Sequence, residues 1–187
     1  QPDHLEDALA RAAKRFPRYR VRAAIPVHLN GQSCAMAPLG EIARENDFGL
    51  IEDACHALGA RVGRNYEEPV GSCHHSAASV FSGHPVKTIA MGEGGIITTR
   101  DEAIARSLRT LRAHGITRDP AAFQMRKQAL DEAGEANPWY YEQAQLGYNY
   151  RASDLHCALG LSQLAKLERF IDVRARLVSR DRKSTRL

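Results

Sequence analysis

Three polar residues, Asp53, Ser82 and Lys87, stand at or just past the ends of short apolar runs. Asp53 closes Leu50-Ile51-Glu52-Asp53, Ser82 follows Ala77–Phe81, and Lys87 lies five residues beyond Ser82. Residues 51–56, 79–87 and the glycine-rich 92–95 are the three segments that carry polar groups away from those runs. In an open α/β sheet, ligands gather beyond the carboxyl ends of the strands. If the runs are strands of one such sheet, a carboxylate, a hydroxyl and a lysine face one crevice.

That set suits pyridoxal 5'-phosphate. The cofactor takes a lysine for its Schiff base and an acid against its pyridine nitrogen. The acid keeps the ring nitrogen protonated, so the ring accepts electrons from a carbanion. A hydroxyl near the lysine can donate to the phosphate. The lysine must give up its proton to attack, and once displaced it can serve as the base. Taken singly, each residue has a plainer reading: a surface lysine, an aspartate capping the next helix, a serine on a strand-end amide.

The elements that must position these groups are legible from periodicity. Leu5, Ala8, Leu9 and Ala12 mark a helix face that Phe16-Pro17 ends. Val21–His28 reads as a buried strand closed by Asn30-Gly31. Residues 38–46 read as a helix with Leu39, Ile42 and Ala43 inward. Strands follow at 50–53, 77–81 and 96–99. Asp101 opens a helix with Ile104, Leu108 and Leu111 on its core side, while Arg106, Arg109 and Arg112 form a solvated face. Residues 116–143 form a polar insertion without a period. Ser153 caps one long helix with a stripe at Leu164, Leu167, Ile171, Ala175 and Val178. Strands alternating with helices predict an α/β fold, a mostly parallel sheet flanked by helices. The polar stretch 180–187 fits no element and reads as a frayed or non-native tail.

Composition narrows the classes. The chain has 187 residues, enough for a core, with 43% hydrophobic and 26% charged residues, a soluble mixture. No apolar run is long enough to span a bilayer, and the charged start is not a signal peptide. The net charge of +4 comes from scattered lysines and arginines without interleaved aromatics. This speaks against nucleic acid and suits an anionic metabolite. Cys34, Cys55, Cys73 and Cys157 form no C-x-x-C pair, which points to a reducing, cytoplasmic setting. Cys73-His74-His75 fits no common zinc spacing, so no metal is expected.

Together PVHLNGQ, IEDACHALGA, VFSGHPVK, GEGGIITT and LGYNYRASDLHCALGLSQL, in this order, resemble the DegT/DnrJ/EryC1/StrS family of pyridoxal-phosphate-dependent sugar aminotransferases. The resemblance implies a large domain of fold type I over residues 1–179, with an amino-terminal part and a carboxyl-terminal small domain outside the chain. It implies Lys87 as the Schiff-base lysine, Asp53 on the pyridine nitrogen, His56 near the ring and Ser82 on the phosphate. It also implies that Asn149 reaches the phosphate of the neighbouring subunit's cofactor, so that a homodimer shares its active sites. Residues 114–120 and 138–141 look most like one branch, which aminates carbon 4 of a UDP-linked 4-keto-6-deoxy sugar on the route to pseudaminic acid, with glutamate as donor. A non-catalytic relative that keeps the fold for binding or assembly is the alternative; the presence of both Lys87 and Asp53 favours the enzyme. Gly83 stands where the family usually carries an aromatic residue, a departure that implies a looser lysine loop.

Overall fold

The computed structural model describes residues 1–63 and 67–184. It divides into two compact units, residues 1–100 with the segment from Ala152 onward, and residues 101–151.

The first unit begins with helix α1 (Pro2–Arg15), which has proline in its first turn and Lys14 and Arg15 in its last. Both placements favour a helix: proline needs no N–H bond there, and cations suit the carboxyl end. Strand β1 covers only Ala23–Ala24. The expected strand 21–28 is thus broken at Ile25-Pro26, because proline has no N–H to give a ladder. Pairing resumes as a single bridge between Val27 and Asp53. A 3-10 turn follows at Leu29–Gly31, with Asn30 at φ 55°, a conformation asparagine tolerates better than most residues.

Helix α2 (Met36–Glu45) buries Met36, Leu39, Ile42 and Ala43, together with Phe48 and Leu50, while Leu5 and Leu9 of α1 pack on that cluster. Strand β2 (Gly49–Asp53) follows, then the small hairpin β3 (Arg61–Val62) and β4 (Glu68–Pro69), then β5 (Ala78–Ser82) and β6 (Gly95–Thr98). The main sheet runs β1-β2-β5-β6. Its first two pairings are parallel and the last is antiparallel. Beneath β5, Ala54, Ala57, Val70 and Phe81 form a second buried cluster.

The second unit opens with α3 (Glu102–Leu111), whose Asp101 cap accepts from Ala103 and Ile104 N–H at 2.7 and 3.1 Å. Ile104, Leu108 and Leu111 are half-buried and the three arginines exposed, as the periodicity requires. The insertion without a period holds a hairpin, β7 (Ile116–Thr117) with β8 (Glu142–Gln143), and a short helix α4 (Arg126–Ala129). Carboxylates organise it. Glu142 accepts from Gln124 and Met125 N–H at 2.8 and 2.7 Å and from the Tyr140 hydroxyl at 2.8 Å.

Ser153 does cap a helix, through the His156 N–H, but the expected long helix is two. Helix α5 (Asp154–Leu164) ends where Lys166 N–H turns back to the Gln163 carbonyl, and α6 (Leu167–Ser184) begins. The predicted stripe is therefore split, with Leu164 on α5 and Leu167, Ile171, Ala175 and Val178 on α6. Leu167 and Ile171 lie against Gly59, while Leu164 and Val178 remain 40% and 52% exposed. Helix α6 also continues through residues 180–184, where the sequence shows no periodic element; residues 185–187 lie outside the described ones.

Candidate active site

The register of the central strands decides what meets at the sheet edge. Asp53 pairs with Val80, Ala54 N–H donates to the Val80 carbonyl, and Ser82 pairs with Gly95. The carboxyl ends of β2 and β5 therefore lie side by side, with the start of antiparallel β6 next to them. Gly95 needs its bare Cα there, since a Cβ would strike the Phe81 carbonyl.

Asp53 is half-buried. Hydrogen bonds from Cys55, first its thiol and then its N–H (3.1 Å to Oδ1), hold the Asp53 carboxyl below its ordinary value, and the charges of His56 and Lys87 add to this. The Cys55 thiol moves the other way, pushed up by burial and by the Asp53 carboxylate, with Lys87 opposing. Lys87 is thus within electrostatic reach of both. His56 is exposed, and its Nδ1 accepts from the Asn30 N–H at 3.3 Å.

Lys87 follows Ser82 on a loop folded by its own backbone. Gly83 N–H donates to the Gly94 carbonyl, Met91 N–H to the Gly83 carbonyl, and Lys87 N–H to the His84 carbonyl, at 2.8 to 2.9 Å. Ser82 Oγ accepts from His84 N–H at 3.3 Å, so its hydroxyl proton stays available to donate. Met91, 5% exposed, fills the space beside Gly83: a Cβ on Gly83 would collide with Met91 Cγ and Sδ. A Cβ on Gly94 or on Gly160 would come within 3.2 Å of the same side chain, so Met91 packs between the loop and α5. Gly92 likewise lies against His156.

The structure therefore brings Asp53, His56, Ser82 and Lys87 to one edge. Asn149 lies in the second unit, exposed, in a segment that runs beside the end of α3. It bridges to Ala113, and the flanking Tyr148 and Tyr150 rings stack at 4.9 Å. Cys73 is buried, with Sγ on Ser79 and the Thr98 carbonyl, and His74 pairs with Glu68.

Sequence reasoning missed a polar network directly under Asp53. His28, fully buried, places Nε2 at 2.8 Å from Glu52 Oε2, and its Nδ1 accepts from Cys34 N–H at 3.0 Å. Burial alone would push the Glu52 carboxyl up; hydrogen bonds from His28, Ser76 and Ser79 outweigh it and hold the carboxyl low. The available signal was strand alternation, which sends neighbouring Glu52 and Asp53 to opposite faces.

A family model described as the DegT/DnrJ/EryC1/StrS aminotransferase family matches residues 1–183. The chain belongs to that family. Among family relatives, it is 35% identical over 159 residues to GDP-perosamine synthase of Caulobacter vibrioides, covering 85% of this chain and 36% of that protein. It is also 35% identical over 154 residues to the UDP-4-amino-4,6-dideoxy-N-acetyl-beta-L-altrosamine transaminase of Campylobacter jejuni, covering 82% and 35%. The structure is similar to Helicobacter pylori PseC, an aminotransferase involved in the biosynthesis of pseudoaminic acid. That match has a TM-score of 0.66 at 26% identity and covers 84% of this chain and 36% of that one. The chain spans about a third of the length of these curated relatives.

Proposed function

We propose that the protein is a pyridoxal-phosphate-dependent aminotransferase acting on a nucleotide-linked 4-keto-6-deoxy sugar, at carbon 4 and with glutamate as amino donor. The observation that carries the reading is the placing of Asp53 and of the Ser82–Lys87 loop beyond the carboxyl ends of two adjacent parallel strands. The named activities of the relatives support the substrate class. The altrosamine transaminase and PseC support the UDP-sugar, pseudaminic-acid branch.

The residues present fit the cofactor. Asp53, held anionic by the Cys55 donors, would pair with a protonated pyridine nitrogen. Ser82 Oγ would donate to the phosphate, His56 would lie near the ring, and Lys87 Nζ would bind the aldehyde carbon. Bound pyridoxal phosphate supplies an electron-poor ring that accepts the electron pair released at the amino-bearing carbon. Lys87 Nζ, once freed by the amino substrate, would carry the proton between carbons. Asn149 would reach a neighbouring subunit's phosphate, its amide donating without adding charge. Each subunit of a two-fold dimer would then lend and receive one Asn149. Exposed apolar residues on α5, Leu155 at 83% and Leu161 at 69%, support a partner surface there.

The test is Lys87→Ala in the intact protein. The expected result is loss of the visible absorbance of the lysine-bound cofactor and of amino transfer from glutamate. Transfer at the wild-type rate in the variant would overturn the reading. Absence of cofactor binding in the wild type would favour a non-catalytic relative.

A further inference from the structure

Asp53 has an ordinary strand neighbour on one side only. On the β5 side the ladder is continuous. On the other, β1 stops at Ala24, and the Asp53 peptide is clamped by Pro26–His28: Asp53 N–H donates to the Pro26 carbonyl at 2.9 Å and His28 N–H to the Asp53 carbonyl at 3.0 Å. Beyond this single bridge no ladder holds the stretch, because Pro26 has no N–H to give. A side chain holds it instead. The His28 ring, fully buried, reaches Glu52 Oε2 from Nε2 and receives Cys34 N–H on Nδ1. Since Nδ1 accepts, it carries no proton, so the ring is the neutral Nε2–H form and donates to an ionised Glu52. The Ser76 hydroxyl donates to the other carboxylate oxygen, and Ser79 also bonds the group. Glu52 is 4% exposed and no buried side-chain polar atom among the described residues lacks a partner. Its charge is spent within the network, on the face opposite Asp53.

We propose that His28 is a positioning residue for Asp53: through its Nε2–H on Glu52 it fixes the Pro26–His28 clamp, and so the place of the carboxylate that meets the cofactor's ring nitrogen. This rests on the assignment of Asp53 above. Removing the donor while keeping the acceptor isolates the effect. Asparagine at position 28 can occupy the Nδ1 site but cannot reach Glu52; glutamine keeps a donor near the Nε2 site.

In the intact protein, we expect His28→Asn to weaken pyridoxal phosphate affinity at least tenfold, and His28→Gln to stay within about threefold of wild type, since only the first takes a donor from a buried carboxylate. Affinity is read by titrating apoprotein with pyridoxal phosphate and following lysine-bound absorbance. Equal affinity of His28→Asn and wild type, or equal loss in both variants, overturns the proposal. Absence of binding in wild type instead overturns the cofactor reading itself. If His28→Asn does not fold, histidine-selective 15N NMR of the wild type decides. A resonance pair for the neutral Nε2–H tautomer upholds the proposal. An Nδ1–H tautomer or a doubly protonated ring overturns it.

Discussion

The two units solve the problem of ordering polar backbone differently. In the first, the site edge is fixed from beneath: parallel strands set the register, apolar clusters hold the strands, and a buried histidine–glutamate network ties down the stretch at Pro26 where the ladder is interrupted. In the second, elements are two to ten residues long, and exposed or half-buried carboxylates gather stray N–H groups. Asp101, Asp119, Asp131 and Glu142 each accept from backbone donors. The difference teaches that chemistry needing a fixed address is put where burial sets geometry, whereas a loop-rich region is held by bonds that water can compete for.

Substitutions can break that contrast. The largest effect is expected for Phe81→Ala, which empties the second buried cluster under β5, where Phe81 is 5% exposed. Denaturant unfolding of the intact protein should show a loss of about 3–5 kcal/mol. A change below about 1 kcal/mol would mean that the cluster does not support the edge. A smaller effect is expected for Gly83→Ala, which pushes a methyl into Met91. Overpacking of this kind costs about 1–3 kcal/mol. The cost should fall when Met91→Ala is made in the same chain; simple additivity of the two changes would show that they do not meet.

The smallest effect belongs to the second unit. Glu142→Gln should leave global unfolding nearly unchanged but speed hydrogen exchange at the Gln124 and Met125 amides, which Glu142 receives. Acid should act likewise. The Gln124 N–H, then burial opposing it, then Met125 N–H and the Tyr140 hydroxyl set the Glu142 carboxyl below its ordinary value. A depressed carboxyl contributes stability that is complete above the ordinary glutamate range and is lost as pH falls through the folded value. Protection factors at these two amides, the intrinsic exchange rate at each pH divided by the observed rate, should therefore fall in acid, and in Glu142→Gln that pH dependence should vanish. Unchanged exchange in the variant at neutral pH would assign their protection elsewhere.

Much of the site was legible because its signals are local. A strand's end can be read from where an apolar run stops, and Asp53, Ser82 and Lys87 are all counted from such stops. The meeting of segments 51–56, 79–87 and 92–95 was expected from the rule that ligands gather beyond the carboxyl ends of the strands. What escaped reading is what depends on distant partners. Pro26 broke an apparently continuous strand, and the compensation for it, His28 on Glu52, pairs residues 24 apart. The split between α5 and α6 was hidden because Ala165-Lys166 suits a helix, so nothing in propensity announces the turn. Met91 beside Gly83 is a matter of volume, which no period encodes.

The reversal of β6 has one further consequence, for the entropy of the loop that carries Lys87. A parallel return would need a crossover to the far end of the sheet. Here the twelve residues from Gly83 to Gly94 leave and re-enter at the same edge, stapled where Ser82 faces Gly95. Loop closure depends only weakly on length, about 0.6 kcal/mol for each doubling. A longer loop would thus barely disturb the fold, yet it would slacken the tether on Nζ. Selection for stability alone is nearly blind to the lysine's reach. The Met91 contacts with Gly83, Gly94 and Gly160 are what make the length of this segment matter.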